Sequence, residues 1–253
     1  MKDIVNVPLD VRMIGNTKAA PANILDMYNR HDGETRGRDH SERGTSVIEL
    51  AGRTCYGAYS RKNAKTDSHQ GYVENMLRQN HLSVIEHAVV SFHISGISRA
   101  ETHEFVRHRH FSYSQQSQRY VIVEKPYKVA LHPTLLEFYG KKEMLEMLQQ
   151  DFEMAETVYN GLRKEGLARK QASEAARAFL PNAAATEIVV TGNLRSWLEF
   201  IAKRDHEAAD AGIRRVAKMI GKELEAFYPE VFAPEAREIW DDNYSQGGIN
   251  HAD

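Results

Sequence analysis

The stretch RHRHFSYSQQSQRY, residues 107–120, sets three arginines and two histidines among hydroxyls and amides, with no carboxylate to neutralise them. A solvated basic face is the plain explanation, but such faces mix signs because like charges a turn apart repel. Apolar residues flank the run, Phe105 and Val106 on one side and Tyr120, Val121, Ile122 and Val123 on the other, which draws part of it toward the interior. Partly buried guanidinium groups need anions. Phosphate suits them, since the planar fork donates two parallel hydrogen bonds, and Ser112, Ser114, Gln115, Ser117 and Gln118 add neutral donors.

Other chemistries compete for these residues. Histidines 81, 87, 103, 108 and 110 show no HExxH or comparable ligand spacing, and neighbouring arginines repel a cation, so no metal site is expected. RNA binding would use the basic residues with Phe111, Tyr113 and Tyr120 as stacking platforms, but RNP and KH signatures are absent. The formal net charge of -2 supplies no global field toward nucleic acid or an anionic membrane. Ser117 lies outside any G-x-S-x-G and has no assignable base. Cys55 is the only cysteine, which excludes an intramolecular disulfide and a thiolate cluster, and beside Tyr56 it is expected in the core.

The elements that must position this run follow from periodicity. AVVSFHISG alternates as a half-buried strand, with Val90, Phe92 and Ile94 on one side and Val89, Ser91, His93 and Ser95 on the other. Ser98 with Glu101 fits a capping box, so a helix should begin there and carry Glu104, Arg107 and His108 toward its end. VIELAGRTCYGAYS predicts a helix that runs out near Gly57, and GYVENMLRQNH predicts another before HLSVIEH. From Met144, the residues Leu145, Leu148, Phe152, Ala155, Tyr159 and Leu162 mark one face of a long packing helix. ARKQASEAARAFLP gives an alanine-rich helix ended by Pro181, with Lys170 and Arg177 on one face. TEIVVTGN reads as a strand, and Asn193 can cap the next helix, which carries Arg195 and Arg204.

With 253 residues, 42% of them hydrophobic and 27% charged, the chain is expected to form a single domain of α+β (mixed α/β) class. The polar stretch 29–46 is expected as a solvated loop and the tail 233–253 as loosely held. No segment approaches the roughly 18 apolar residues of a membrane helix, and a cytoplasmic setting is expected.

RHR followed by seven residues and Ser, here Arg107, His108 and Arg109 through Ser117, resembles the signature of the flavin-dependent thymidylate synthases. The resemblance extends to SxxSxR (Ser114, Ser117, Arg119), HLSVIEH, ARAFLP and GNLRSW with a following Arg204, and covers about 45–230. It implies the family's homotetrameric fold, with sites built from several chains, and reductive methylation of dUMP to dTMP. The implied carbon donor is 5,10-methylenetetrahydrofolate, and the implied hydride source is FAD reduced by NADPH. By the same resemblance Ser83, Arg107, His108, Arg109, Gln115, Asn193, Leu194, Arg195 and position 199 hold FAD. The resemblance assigns dUMP to Glu104, Phe105, Val106, Arg107, Gln115, Gln116, Ser117, Gln118, Arg119, Arg177 and Arg204, with 115–119 reaching across a subunit interface. Arg204 is the implied catalytic group, set against the N3 and O2 edge of uracil to stabilise charge that develops as C5 becomes a nucleophile. No cysteine attack at C6 is then needed.

Two positions depart from the pattern. Glu199 stands where Asn or His is common, and Ala208 where His is usual. His206 is expected to point away from Arg204 if the helix continues regularly through that segment.

Overall fold

The computed structural model describes residues 3–31, 42–60, 65–121 and 124–246. Along the chain run β1 (Ile4–Asn6), β2 (Asp10–Asn16), α1 (Pro21–Arg30), α2 (Gly44–Cys55) and α3 (His69–Arg78). A 3-10 turn (Leu82–His87), β3 (Val89–Ser98), α4 (Arg99–Phe105), β4 (Ser112–Gln115), β5 (Tyr127–Val129) and α5 (Pro133–Phe138) follow. Then come α6 (Lys141–Lys164), α7 (Arg169–Ala176), a second 3-10 turn (Arg177–Phe179) and β6 (Ala185–Asn193). The chain continues through α8 (Leu194–Arg204), α9 (Ala211–Phe227), α10 (Pro229–Phe232) and α11 (Pro234–Gln246). Long helices with two small sheets make this a mixed α+β fold. β1 pairs in parallel with β5, and the other four strands follow the order β2-β3-β6-β4. None of the described helices is long and apolar enough to cross a membrane.

The residues gather into two compact units. One comprises Met1–Arg12, His93–Val190 and Asp210–Val216. Its core joins Ile4, Tyr127 and Val129 of the parallel pair to Met144, Leu145 and Phe152 of α6, with Tyr127 stacked on Phe152 at 4.8 Å. On the packing face expected along α6, Leu145, Phe152 and Ala155 are buried and Leu148, Tyr159 and Leu162 half-buried, and α7, which buries Ala172 and Ala176, packs against α6. α4 opens on the expected capping box: Ser98 Oγ accepts from the Glu101 amide, and the Glu101 carboxylate accepts from the Ser98 amide at 2.7 Å. The other Glu101 oxygen faces the Arg215 guanidinium at 3.7 Å and occupies the space that a Cβ at Gly212 would need. α4 ends at Phe105, so Arg107 and His108 lie just beyond the helix rather than within it.

The other unit comprises Met13–Phe92, Thr191–Ala209 and Ala217–Asp253. Its α8 is capped as expected, Asn193 Oδ1 accepting from the Ser196 amide at 2.8 Å. Trp197 is fully buried, meets Phe92 edge-on at 5.1 Å and donates its indole N–H to the Gly192 and Val90 carbonyls. A buried polar cluster ties α2 to α3. Glu49 accepts from Arg53 and pairs with His69 Nδ1, both at 2.7 Å, while Arg53 also donates to the carbonyls of Ala58 and Thr66 and lies over the Tyr72 ring. Burial alone pushes the Glu49 carboxyl up, but the His69 hydrogen bond and the Arg53 charge outweigh it and hold the group below its ordinary 4.5.

Three expectations change here. Asn29 and Arg30 belong to α1, and Gly44, Thr45 and Ser46 are buried at the start of α2, so the polar stretch is helical at both ends; 32–41 lie outside the described residues. The tail is not loose through 246: α11 buries Ala236 and Trp240, one turn apart, and packs on α3 and α10. Cys55 is exposed: its spacing puts it on the side of Ile48 and Gly52, but it is the last residue of α2. Gly57 follows with φ of +55°, the left-handed conformation that ends the helix near the expected place.

Candidate functional site

The basic run leaves α4 through a braced turn. The His108 amide donates to the Phe105 carbonyl at 3.0 Å, and the Tyr113 hydroxyl, on β4, lies 2.6 Å from the Phe105 carbonyl oxygen and 2.7 Å from that of His108. Burial raises the Tyr113 phenol above its ordinary range, so it remains a donor. Phe105, Phe111 and Tyr113 pack edge to face beneath the turn. These rings, not the flanks named from sequence, anchor it: Tyr120 is 63% exposed, Val121 and Val106 are 45% exposed, and Ile122 and Val123 lie outside the described residues. Arg107 and Arg109 project into solvent, with Glu104 no nearer than 4.0 Å to Arg107.

The chain after the turn folds back toward α7. Gln115 donates to Thr102 Oγ1 at 2.9 Å, and the Gln116 amide pairs with the Glu187 carbonyl. Residues 117–120 form a turn in which Ser117 Oγ accepts from the Arg119 amide at 3.3 Å. Arg119 is ion-paired with Glu174, the carboxylate missing from the run itself. Arg177 stands exposed on the 3-10 turn that follows α7. The expected nucleotide residues 115–119 and 177 are therefore assembled on one unit, together with Glu104, Phe105 and Val106 on the preceding turn; Gln118 is half-buried beside them.

Among them stands Arg99, which sequence reasoning passed over. Its guanidinium reaches the Gln116 carbonyl at 3.4 Å. Burial depresses its pKa, and the charge of Arg177 depresses it further. A signal existed: Arg99 opens α4 directly after the Ser98 cap, where the helix dipole disfavours a cation.

The second group of expected residues lies on the other unit. Ser83 is exposed on the Leu82–His87 turn, and Arg195 joins that turn to α8 by binding Glu86 at 2.7 Å and Glu199 at 3.2 Å. Partial burial opposes the Arg195 charge, but Glu86 and Glu199 outweigh it and raise the pKa. Glu199 thus has a partner of its own within α8. Asn193 Oδ1 is engaged in the cap, and Leu194 buries its side chain while its amide bonds the Ala88 carbonyl. Arg204 is the last residue of α8 and is half-buried.

The helix does not continue to 208. Asp205 is its C-cap, and His206 Nδ1 accepts from the Ala208 amide at 3.2 Å in a turn. The helical-wheel separation of Arg204 from His206 and Ala208 therefore does not apply, because a short polar turn with Asp205 and Asp210 at its ends replaces the helix.

The family described as thymidylate synthase complementing protein, Thy1, matches residues 38–230. Flavin-dependent thymidylate synthases of Mycobacterium tuberculosis (strain H37Rv) and Mycobacterium avium (strain 104) are each 46% identical over 201 residues, covering 75% of this chain and 79% of theirs. That of Mycobacterium sp. (strain JLS) is 44% identical over 208 residues, 76% of this chain and 80% of its own. In fold, the chain is similar to a UMP/dUMP methylase, PolB, from Streptomyces cacaoi, solved with 5-Br UMP. The TM-score is 0.65 at 17% identity, over 96% of this chain and 97% of that one.

Proposed function

Because the chain belongs to the flavin-dependent thymidylate synthase family, we propose that it methylates dUMP to dTMP, drawing the carbon from 5,10-methylenetetrahydrofolate and reducing equivalents from NADPH. Bound FAD supplies the hydride acceptor and donor. The donor set fits such a dinucleotide: Arg107, with Glu104 no nearer than 4.0 Å, and Arg109 are exposed cations on a braced turn, suited to phosphate. His108 and Gln115 belong to the same segment. Ser83, Asn193 and Arg195 add polar groups, with Leu194 contributing only backbone and Glu199 acting through Arg195.

Residues Glu104 to Arg107 and Gln115 to Arg119, with Arg177, hold the nucleotide. Arg204 is assigned the uracil edge, where a fixed guanidinium stabilises the negative charge that accompanies attack from C5. Exclusion of water and orientation of the rings supply much of the remaining acceleration. The active form is a homotetramer of single catalytic domains in the cytoplasm, with 115–119 completing a neighbour's site.

The Tyr113-braced turn carries this reading, since it fixes two arginines at the surface where ordinary packing would neutralise or release them. Purified protein is expected to be yellow, to change its flavin spectrum on addition of dUMP, and to form dTMP only with methylenetetrahydrofolate and NADPH together. A colourless protein that binds RNA instead would reject the proposal.

A further inference from the structure

The tail helix α11 reaches the end of α8 through one ion pair. Arg237 Nη1 lies 3.9 Å from Asp205 Oδ2, and the Asp205 side chain is only 19% exposed. Asp205 is the C-cap of α8: its amide still donates to the Ile201 carbonyl at 2.7 Å, while φ of -95° and ψ of 40° take the chain out of the helix. A carboxylate at that end faces the negative pole of the helix dipole, and partial burial adds to its cost, so it needs a cation. The nearest cation along the chain is Arg204, the residue before it and the one assigned to uracil. Arg237 comes instead from a helix that is held in place, since its neighbour Ala236 and Trp240, one turn on, are both buried and α11 packs on α3 and α10.

We propose that Arg237 is a positioning residue, which holds the Asp205 carboxylate away from Arg204 so that the Arg204 guanidinium keeps its aim at the uracil edge. The inference rests on the role given to Arg204 above. A partly exposed ion pair adds little to stability, whereas a reacting group drawn aside by about an ångström loses much of its effect. Loss of the pair therefore leaves the fold nearly unchanged and slows the chemistry. Because Arg204 meets charge that develops on the way to the transition state, the loss falls on kcat more than on the KM for dUMP. The docked tail thereby acts on the reaction through Asp205 and Arg204.

The test assays flavin-loaded variants for kcat, the KM for dUMP, flavin content and unfolding midpoint. Arg237→Gln is expected to lower kcat roughly ten- to hundred-fold, with the other three quantities close to wild type. Arg237→Lys keeps the charge and most of the rate. The decisive enzyme carries Asp205→Asn with Arg237→Gln: once the carboxylate is gone, nothing competes for Arg204, and kcat returns close to wild type. Should Arg237→Gln not fold, Asp205→Asn alone still decides, because it is expected to keep its rate if the carboxylate is a competitor and to lose it if the ion pair is a brace.

A double variant as slow as Arg237→Gln overturns the inference, as does a slow Asp205→Asn, a wild-type kcat in Arg237→Gln, or a rate that falls in step with flavin content and midpoint. Arg204→Gln separates the inference from the reading beneath it. If Arg204→Gln is slow and Arg237→Gln is not, the role of Arg204 stands and that of Arg237 falls. If Arg204→Gln keeps its kcat, the role of Arg204 falls first.

Discussion

Replacing Tyr113 by phenylalanine removes one oxygen and keeps the ring that packs against Phe105 and Phe111. The Phe105 carbonyl retains the His108 amide as a donor, so the main loss falls on the His108 carbonyl, whose contact with the hydroxyl is 2.7 Å. One hydrogen bond contributes about 1 kcal/mol, and a partly buried acceptor left without a donor adds a comparable cost, giving about 1–2 kcal/mol. For a chain of this size that lowers the unfolding midpoint by about 3–6 °C. The larger effect should be on binding, because the freed turn must be ordered again each time Arg107 and Arg109 meet an anion. Flavin and dUMP affinities should therefore fall several-fold while the pure fold loss stays small. Burial keeps the phenol protonated beyond its ordinary 10.0, so the difference between Tyr113→Phe and wild type should be flat across neutral and mildly alkaline pH. Thermal unfolding with flavin and dUMP titrations measures both quantities. Unchanged affinities with a lowered midpoint would show that the hydroxyl stabilises the chain without presenting the arginines, and no change in either would refute the brace.

The remaining predictions are independent of that turn. Trp240→Ala should cost about 3–5 kcal/mol, read by equilibrium unfolding, because α11 is docked through a buried ring; a negligible loss would return the tail to the loose state. The Glu49 carboxyl has a folded pKa below 4.5, so its contribution is fully present above 4.5 and drains as pH falls through the lower folded value. Glu49→Gln should flatten that acid limb of the unfolding midpoint and cost about 3–5 kcal/mol at neutral pH by leaving Arg53 buried without its acid. Cys55→Ser should keep full turnover and unfolding behaviour, since the thiol is exposed and the proposed chemistry uses none; loss of dTMP formation in a folded, flavin-loaded variant would mean a different mechanism.

What could be read in the sequence was local. The Ser98 box, the Asn193 cap, the alternation through Val90, Phe92 and Ile94 and the α6 face each depend on residues a few positions apart, and each is formed as expected. What escaped depends on distant partners. Glu174 neutralises Arg119 from another helix, and Trp240 finds its burial against α3, neither of which periodicity records. The flanks 120–121 are apolar but exposed, because Phe111 and Tyr113 within the run do the anchoring. The end of α8 at Arg204 was hidden by a compositionally helical HEAA, which a His206 contact to the backbone turns aside.

The contact between Glu101 and Gly212 constrains the order in which this chain can change. Any side chain at 212 collides with the Glu101 carboxylate, and a shorter residue at 101 surrenders the reciprocal cap of α4 and the charge facing Arg215. Neither single step is neutral on its own, yet the pair together can be. Drift at these two sites, far apart in the chain, must therefore pass through a weakened intermediate, and relatives that have left glycine at 212 should be found to have left glutamate at 101 as well.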